Sequence, residues 1–193
     1  MRLYWLVGVL VIAAAGSPAS AGVVGTAEPG PGGALTLNNW QWIQLDVDTY
    51  ILDLDETLHA VPASVQGDIL ADGDPKVWIR KSVENDTSFA WGAYHIDIRM
   101  PVTFDILDLM APPNWTWNEP TPAVLLPSGK WQASVDYLGG APIPMGEFGD
   151  FGVLVSFEGS VDYCVDQIPI APEPASLLLL AAAAGLLLRR KEI

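Results

Sequence analysis

From Tyr94 to Ile106 the chain sets Tyr94, Ile96, Ile98, Met100, Val102, Phe104 and Ile106 at every second position, with His95, Asp97, Arg99, Pro101, Thr103 and Asp105 between them. Successive side chains of a strand point to opposite faces, so this alternation buries one face of an extended segment and leaves the other in water. Pro101 brings no amide to a ladder and marks either an edge position or a bend between two shorter strands. The same pattern returns in Phe151, Val153, Val155 and Phe157 and, beyond a bulge or turn at Gly159, in Val161, Tyr163 and Val165. Further strands are expected over 40–47, 50–54, 77–83 and 131–138, separated by Gly, Pro, Asp and Asn, while 27–33 and 141–149 read as loops. No segment between the termini carries an amphipathic-helix period. About seven short strands so punctuated predict an all-β fold, an antiparallel β-sandwich of jelly-roll or immunoglobulin-like type.

Both ends read as export signals. Met1-Arg2 is a positive start, 3–15 an uncharged apolar run, and Ala19-Ser20-Ala21 a small-x-small cleavage site before Gly22, so 1–21 reads as a secretory signal peptide. No cysteine lies near that site, which excludes a lipoprotein anchor. At the other end Pro172-Glu173-Pro174 is followed by the uncharged run 175–188 and by Arg189-Arg190-Lys191. As a helix that run spans about 21 Å, short of the roughly 30 Å hydrocarbon core. The flanking cations compensate: they follow the positive-inside rule, hold the C-terminus in the cytoplasm and snorkel across part of the mismatch. One transmembrane helix is therefore expected there, with the body, 22–171, outside the inner membrane as a single domain.

A Pro-Glu-Pro triplet, an apolar helix and a basic terminus in that order resemble the PEP-CTERM sorting signal of Gram-negative bacteria. The resemblance implies recognition by an exosortase, a membrane-embedded cysteine transpeptidase, with Pro172, Glu173, Pro174, Arg189, Arg190 and Lys191 as the sorting motif. The precursor would sit in the inner membrane and the mature form at the cell surface, the outer envelope or the extracellular matrix. A second stretch, 77–98, is similar to a hairpin found in PEP-CTERM proteins, through Val83-x-Asn85-x-Thr87 and Trp91-x-x-Tyr94-His95. It implies membership of the class and is silent on activity. Trp91 and Tyr94 would share a face only if Gly92 absorbs a bulge.

Two of the 23 acids and four of the nine bases lie in the terminal segments, so the body holds 21 acids against five bases. Such a field repels nucleic acid and anionic lipid and keeps the domain soluble. Cys164 is the single cysteine, which rules out an intramolecular disulfide; it is either buried or free to bridge to another chain. With only His59 and His95, and with no H-E-x-x-H, G-x-S-x-G or phosphate-loop pattern, no catalytic residues are assigned and no enzyme is expected.

Two constellations remain open to a ligand. Asp46 and Asp48 on one strand face, and Asp68 with Asp72 and Asp74 in a loop, offer hard oxygens to calcium, though not at EF-hand spacing; no cofactor is expected beyond weak calcium binding. Trp115 and Trp117, between prolines at Pro113 and Pro120, form an i, i+2 pair that either makes a flat platform for sugar rings or folds back and buries both indoles. Two functions follow. One is a non-catalytic structural protein of the surface or exopolysaccharide matrix, processed by signal peptidase and exosortase. The other is a carbohydrate-binding module for the cell's own polysaccharide, acting through exposed tryptophans.

Overall fold

Alternating apolar residues become strands wherever a partner can cover them, and in the computed structural model, which describes residues 23–172, they form two packed sheets. Ala19, Ala21 and Gly22 of the cleavage site, and Glu173, Pro174, Arg189, Arg190 and Lys191 of the sorting motif, lie outside the described residues. The strands are β1 (Val24–Gly25), β2 (Glu28–Pro29), β3 (Leu35–Gln44), β4 (Thr49–Leu58), β5 (Ala63–Leu70), β6 (Lys76–Asn85) and β7 (Trp91–Met100). They continue with β8 (Phe104–Met110), β9 (Thr116–Trp117), β10 (Val124–Leu125), β11 (Trp131–Ile143), β12 (Phe148–Phe157) and β13 (Val161–Ile170). Among the described residues no helix is long and apolar enough to cross a membrane.

The larger sheet runs β1-β5-β13-β7-β11-β10, with β2 also on β5 and β9 also on β11; the smaller runs β3-β4-β6-β12-β8. Every junction is antiparallel except β4–β6, which is parallel. After the β3–β4 hairpin each long strand lies in the opposite sheet from the one before it, so both sheets are assembled from contacts distant in sequence. One continuous core lies between them. Leu52, Leu54, Ile79, Val83, Phe151 and Val155 meet Val65, Ile69, Ile96, Ile98, Val135 and Val165 across it. Each such side chain fully withdrawn from water contributes about 1.5–3 kcal/mol, and no disulfide assists them.

Several expectations are corrected in detail. Of the two alternatives at Pro101, the bend is the one found: β7 stops at Met100 and Phe104 opens β8 in the other sheet, so the alternating run is two shorter strands and not an edge strand. The 77–98 stretch is not a hairpin, because β6 lies in the smaller sheet and β7 in the larger. Residues 46–48 form the β3–β4 turn, so Asp46 and Asp48 do not share a strand face. The loop expected at 27–33 contributes β2, and the one at 141–149 shrinks to the few residues between β11 and β12. Gly159 turns the chain at φ +65°, as the pattern around it requires.

Candidate functional site

Three polar side chains, Glu56, Lys81 and Gln167, occupy positions where the alternation calls for apolar ones. In β4 the inward series Leu52, Leu54, Glu56, Leu58 carries a carboxylate, and in β6 the series Val77, Ile79, Lys81, Val83 carries an ammonium. Glu56 is fully buried and Lys81 is 2% exposed. Lys81 Nζ donates to Glu56 Oε1 at 3.0 Å and to Oε2 at 3.1 Å. From the facing sheet, Gln167 Nε2 donates to the same Oε2 at 2.8 Å, and the Tyr94 hydroxyl donates to Gln167 Oε1. Tyr94 stacks on Phe151 with ring centroids 4.1 Å apart, and Phe151 is the register partner of Lys81. Burial pushes the Lys81 ammonium down in pKa against the pull of Glu56, and it pushes the Tyr94 phenol well up, so the phenol keeps its proton. This chain of groups joins both sheets through the middle of the core. It was missed in the sequence, although opposite charges at two inward positions were its visible signal.

Beside it, the residues of the 77–98 motif explain one another. Asn85 Nδ2 donates to the carbonyls of Phe89 (2.9 Å) and Ile143 (3.0 Å), while its Oδ1 accepts from the amide and hydroxyl of Thr87. Thr87 Oγ1 in turn accepts the Trp91 indole N–H at 3.0 Å. A buried Asn thus spends both donors and its acceptor on a tight crossover, which no residue of other shape can reproduce. Trp91 and Tyr94 do share the buried face. The irregularity lies in the partner strand, where the register slips between Leu138 and Ile143. Gly92 has another reason to be glycine: a Cβ there would sit 2.8 Å from the Cα of Pro172, where the chain leaves β13.

On the outward face of the larger sheet, His95 Nδ1 lies 2.7 Å from Asp136 and its Nε2 3.1 Å from Asp97. Burial works against the imidazolium, but the Asp136 hydrogen bond and the charges of Asp97 and Asp136 outweigh it and raise the pKa above 6.5. A raised folded pKa means stability that is complete below the unfolded value and is lost as pH rises through the folded one. Urea stability is therefore expected to fall as pH climbs from about 6.5 through the folded value, and Asp136→Asn to remove most of that fall. Arg99 pairs with Asp166, and Cys164 sits half-buried between them, its thiol held neutral by burial and by Asp166. Alongside is a shallow open depression of about 220 Å³, lined by Glu28, Gln66, Asp68, Lys130, Asp162 and Cys164. Lys130 already neutralises Asp162 at 2.7 Å.

The residues singled out in the sequence are dispersed. Trp115 is 6% exposed, its indole donating to Ala141 O at 3.0 Å and meeting Phe151 edge-on, whereas Trp117 is 45% exposed at the sheet edge. They form neither a joint platform nor a jointly buried pair. Asp46 accepts from the Val47 amide; Asp48 takes Lys76 Nζ at 2.9 Å and the Thr49 hydroxyl, which hold its pKa low. The Lys76 amide also donates to Asp48 O, bringing the 46–48 turn near the loop that carries Asp72 and Asp74, both exposed. Among the described residues no three His, Cys, Asp or Glu side chains converge as a metal shell. All five cations of the body have an acidic partner: Lys76 with Asp48, Arg80 with Asp53, Lys81 with Glu56, Arg99 with Asp166 and Lys130 with Asp162. Comparison with protein-family models, curated proteins and solved structures found no match for this chain.

Proposed function

We propose that the protein is an exported, non-catalytic structural component of the cell surface or of an exopolysaccharide matrix, released from the inner membrane by an exosortase. The carrying observation is the order Pro172-Glu173-Pro174, apolar run, Arg189-Arg190-Lys191 at the C-terminus, opposite a secretory signal peptide at 1–21. The fold suits that reading: β13, a central strand of the larger sheet, ends at Ile170, and the exposed Pro172 follows almost at once. The described chain thus reaches Pro172, the first residue of the sorting motif, two positions after the end of β13. Of the two sandwich types expected, strands that change sheet at each connection favour a jelly-roll winding over an immunoglobulin one. Replacing Pro172, Glu173 and Pro174 with alanine is expected to hold the precursor in the inner membrane, read by fractionation and blotting. Release of that variant at the wild-type level would contradict recognition of the triplet.

A carbohydrate-binding module is the second reading, favoured by one surface. On the outward face of the smaller sheet the register lines up Ile43, Ile51, Trp78 and Leu154 across four strands, beside the polar row Gln41, Asp53 and Arg80. Strands lie about 4.8 Å apart, so the strip runs roughly 14 Å. Ile51 is itself buried among its neighbours and Trp78 and Leu154 are half-buried, so the indole of Trp78 beside polar groups is the part of the strip that offers the chemistry of sugar stacking. No cofactor takes part in either reading.

A further inference from the structure

We propose that Lys81 and Gln167 become joined by an intramolecular isopeptide bond, formed by the folded chain itself with Glu56 carrying protons and Tyr94 polarising the amide. The four groups are already in the necessary order. The amine and the amide nitrogen share one oxygen of the same buried carboxylate, at 3.1 Å and 2.8 Å, and the amide oxygen receives the phenol hydrogen. Water, the competing nucleophile, is excluded, since Glu56, Gln167 and Tyr94 are fully buried and Lys81 nearly so.

Glu56 takes a proton from the Lys81 ammonium, and the freed Nζ lone pair attacks Cδ of Gln167. The Tyr94 O–H holds the negative charge that develops on Oε1, as a donor in an oxyanion hole does. The second proton of the attacking nitrogen passes through Glu56 to Nε2, the Cδ–Nε2 bond breaks, and the nitrogen leaves as ammonia. Glu56 keeps the first proton and ends as a neutral acid beside a neutral amide. Nothing is oxidised or reduced, and no co-reactant is consumed. The step converts a buried ion pair into uncharged groups, removing two charges from a medium that solvates them poorly, and the escape of ammonia draws it forward. Burial shifts the Lys81 ammonium toward its neutral, nucleophilic form and keeps the proton on the Tyr94 phenol, available to donate to Gln167 Oε1.

The bond would tie β6 in one sheet to β13 in the other. β13 is the strand that leads into Pro172, so tension applied at the C-terminal end would meet a covalent staple once the three ladder residues beyond it, Ile168, Pro169 and Ile170, had been peeled from β7. With a single cysteine the chain has no disulfide to serve that purpose.

The test is peptide mapping of the folded, full-length wild-type protein, digested after denaturation. A branched peptide joining the Lys81 and Gln167 segments, lighter than the two together by the mass of one ammonia, about 17 Da, is the expected result. Recovery of both segments as separate, unmodified peptides from folded protein would overturn the proposal, and this outcome needs no variant. Glu56→Gln is expected to yield only the separate peptides. Tyr94→Phe keeps the ring against Phe151 and is expected to slow cross-linking by about 100-fold; cross-linking at the wild-type rate in that variant would overturn the part given to the phenol.

Discussion

Measured on protein in which Lys81 and Gln167 are still unjoined, Glu56→Leu is expected to lower the unfolding free energy of the body by about 3–5 kcal/mol, the range for a buried charge deprived of its partner. The substitution leaves the Lys81 ammonium in the core without a counter-ion and frees the Gln167 amide as well. Urea denaturation followed by tryptophan fluorescence reads the loss. Adding Lys81→Met removes the stranded charge, and well-packed apolar residues commonly replace a buried ion pair at little cost. The double variant is therefore expected to be more stable than Glu56→Leu alone by most of that amount. Equal stability of the two would mean that Lys81 is not held in a desolvated site. An exposed pair sets the scale for comparison: Lys130 with Asp162 is about half exposed and is worth roughly 0–1 kcal/mol.

The second large effect separates two tryptophans only two residues apart. Trp115→Ala is expected to cost about 3–5 kcal/mol, because it opens a cavity against Phe151 and leaves the Ala141 carbonyl without its indole donor. Trp117→Ala is expected to change stability by about 0.5 kcal/mol or less. The asymmetry traces to Asn114, whose φ of +66° turns the chain just before Trp115, whose own amide donates back to Pro112 O. The i, i+2 rule assumes an extended backbone, and this backbone is not extended until β9 begins at Thr116. Nearly equal losses at the two positions, measured by thermal and urea unfolding, would contradict the placement.

What the sequence made legible follows the same division between local and distant information. Alternation revealed β7, β12 and β13 because their inward faces are almost wholly apolar. β5 escaped notice because Ala63 and Gly67 dilute its pattern; Gly67 stands where a Cβ would lie 2.1 Å from the carbonyl oxygen of Thr26. The parallel pairing of β4 with β6 and the change of sheet between β6 and β7 arise from contacts that no local window contains. Asn85-Asp86-Thr87 has the residue chemistry of a turn, but the use of Asn85 in holding the Ile143 carbonyl on β11 depends on a strand far along the chain. For the core polar groups, the alternation shows Glu56 and Lys81 pointing inward; only the fold shows that they meet Gln167 and Tyr94. Acidic composition drew notice to Asp46, Asp48, Asp72 and Asp74, yet Asp48 already has Lys76 as its counter-ion.

If the β body is exported and then freed from its membrane segment, as proposed, intact-mass analysis of the surface-exposed protein is expected to find a mature chain that begins at Gly22 and has lost the residues after the Pro172-Glu173-Pro174 region. Surface-exposed protein that all retains Arg189-Arg190-Lys191 would contradict the processing and leave an anchored protein in its place.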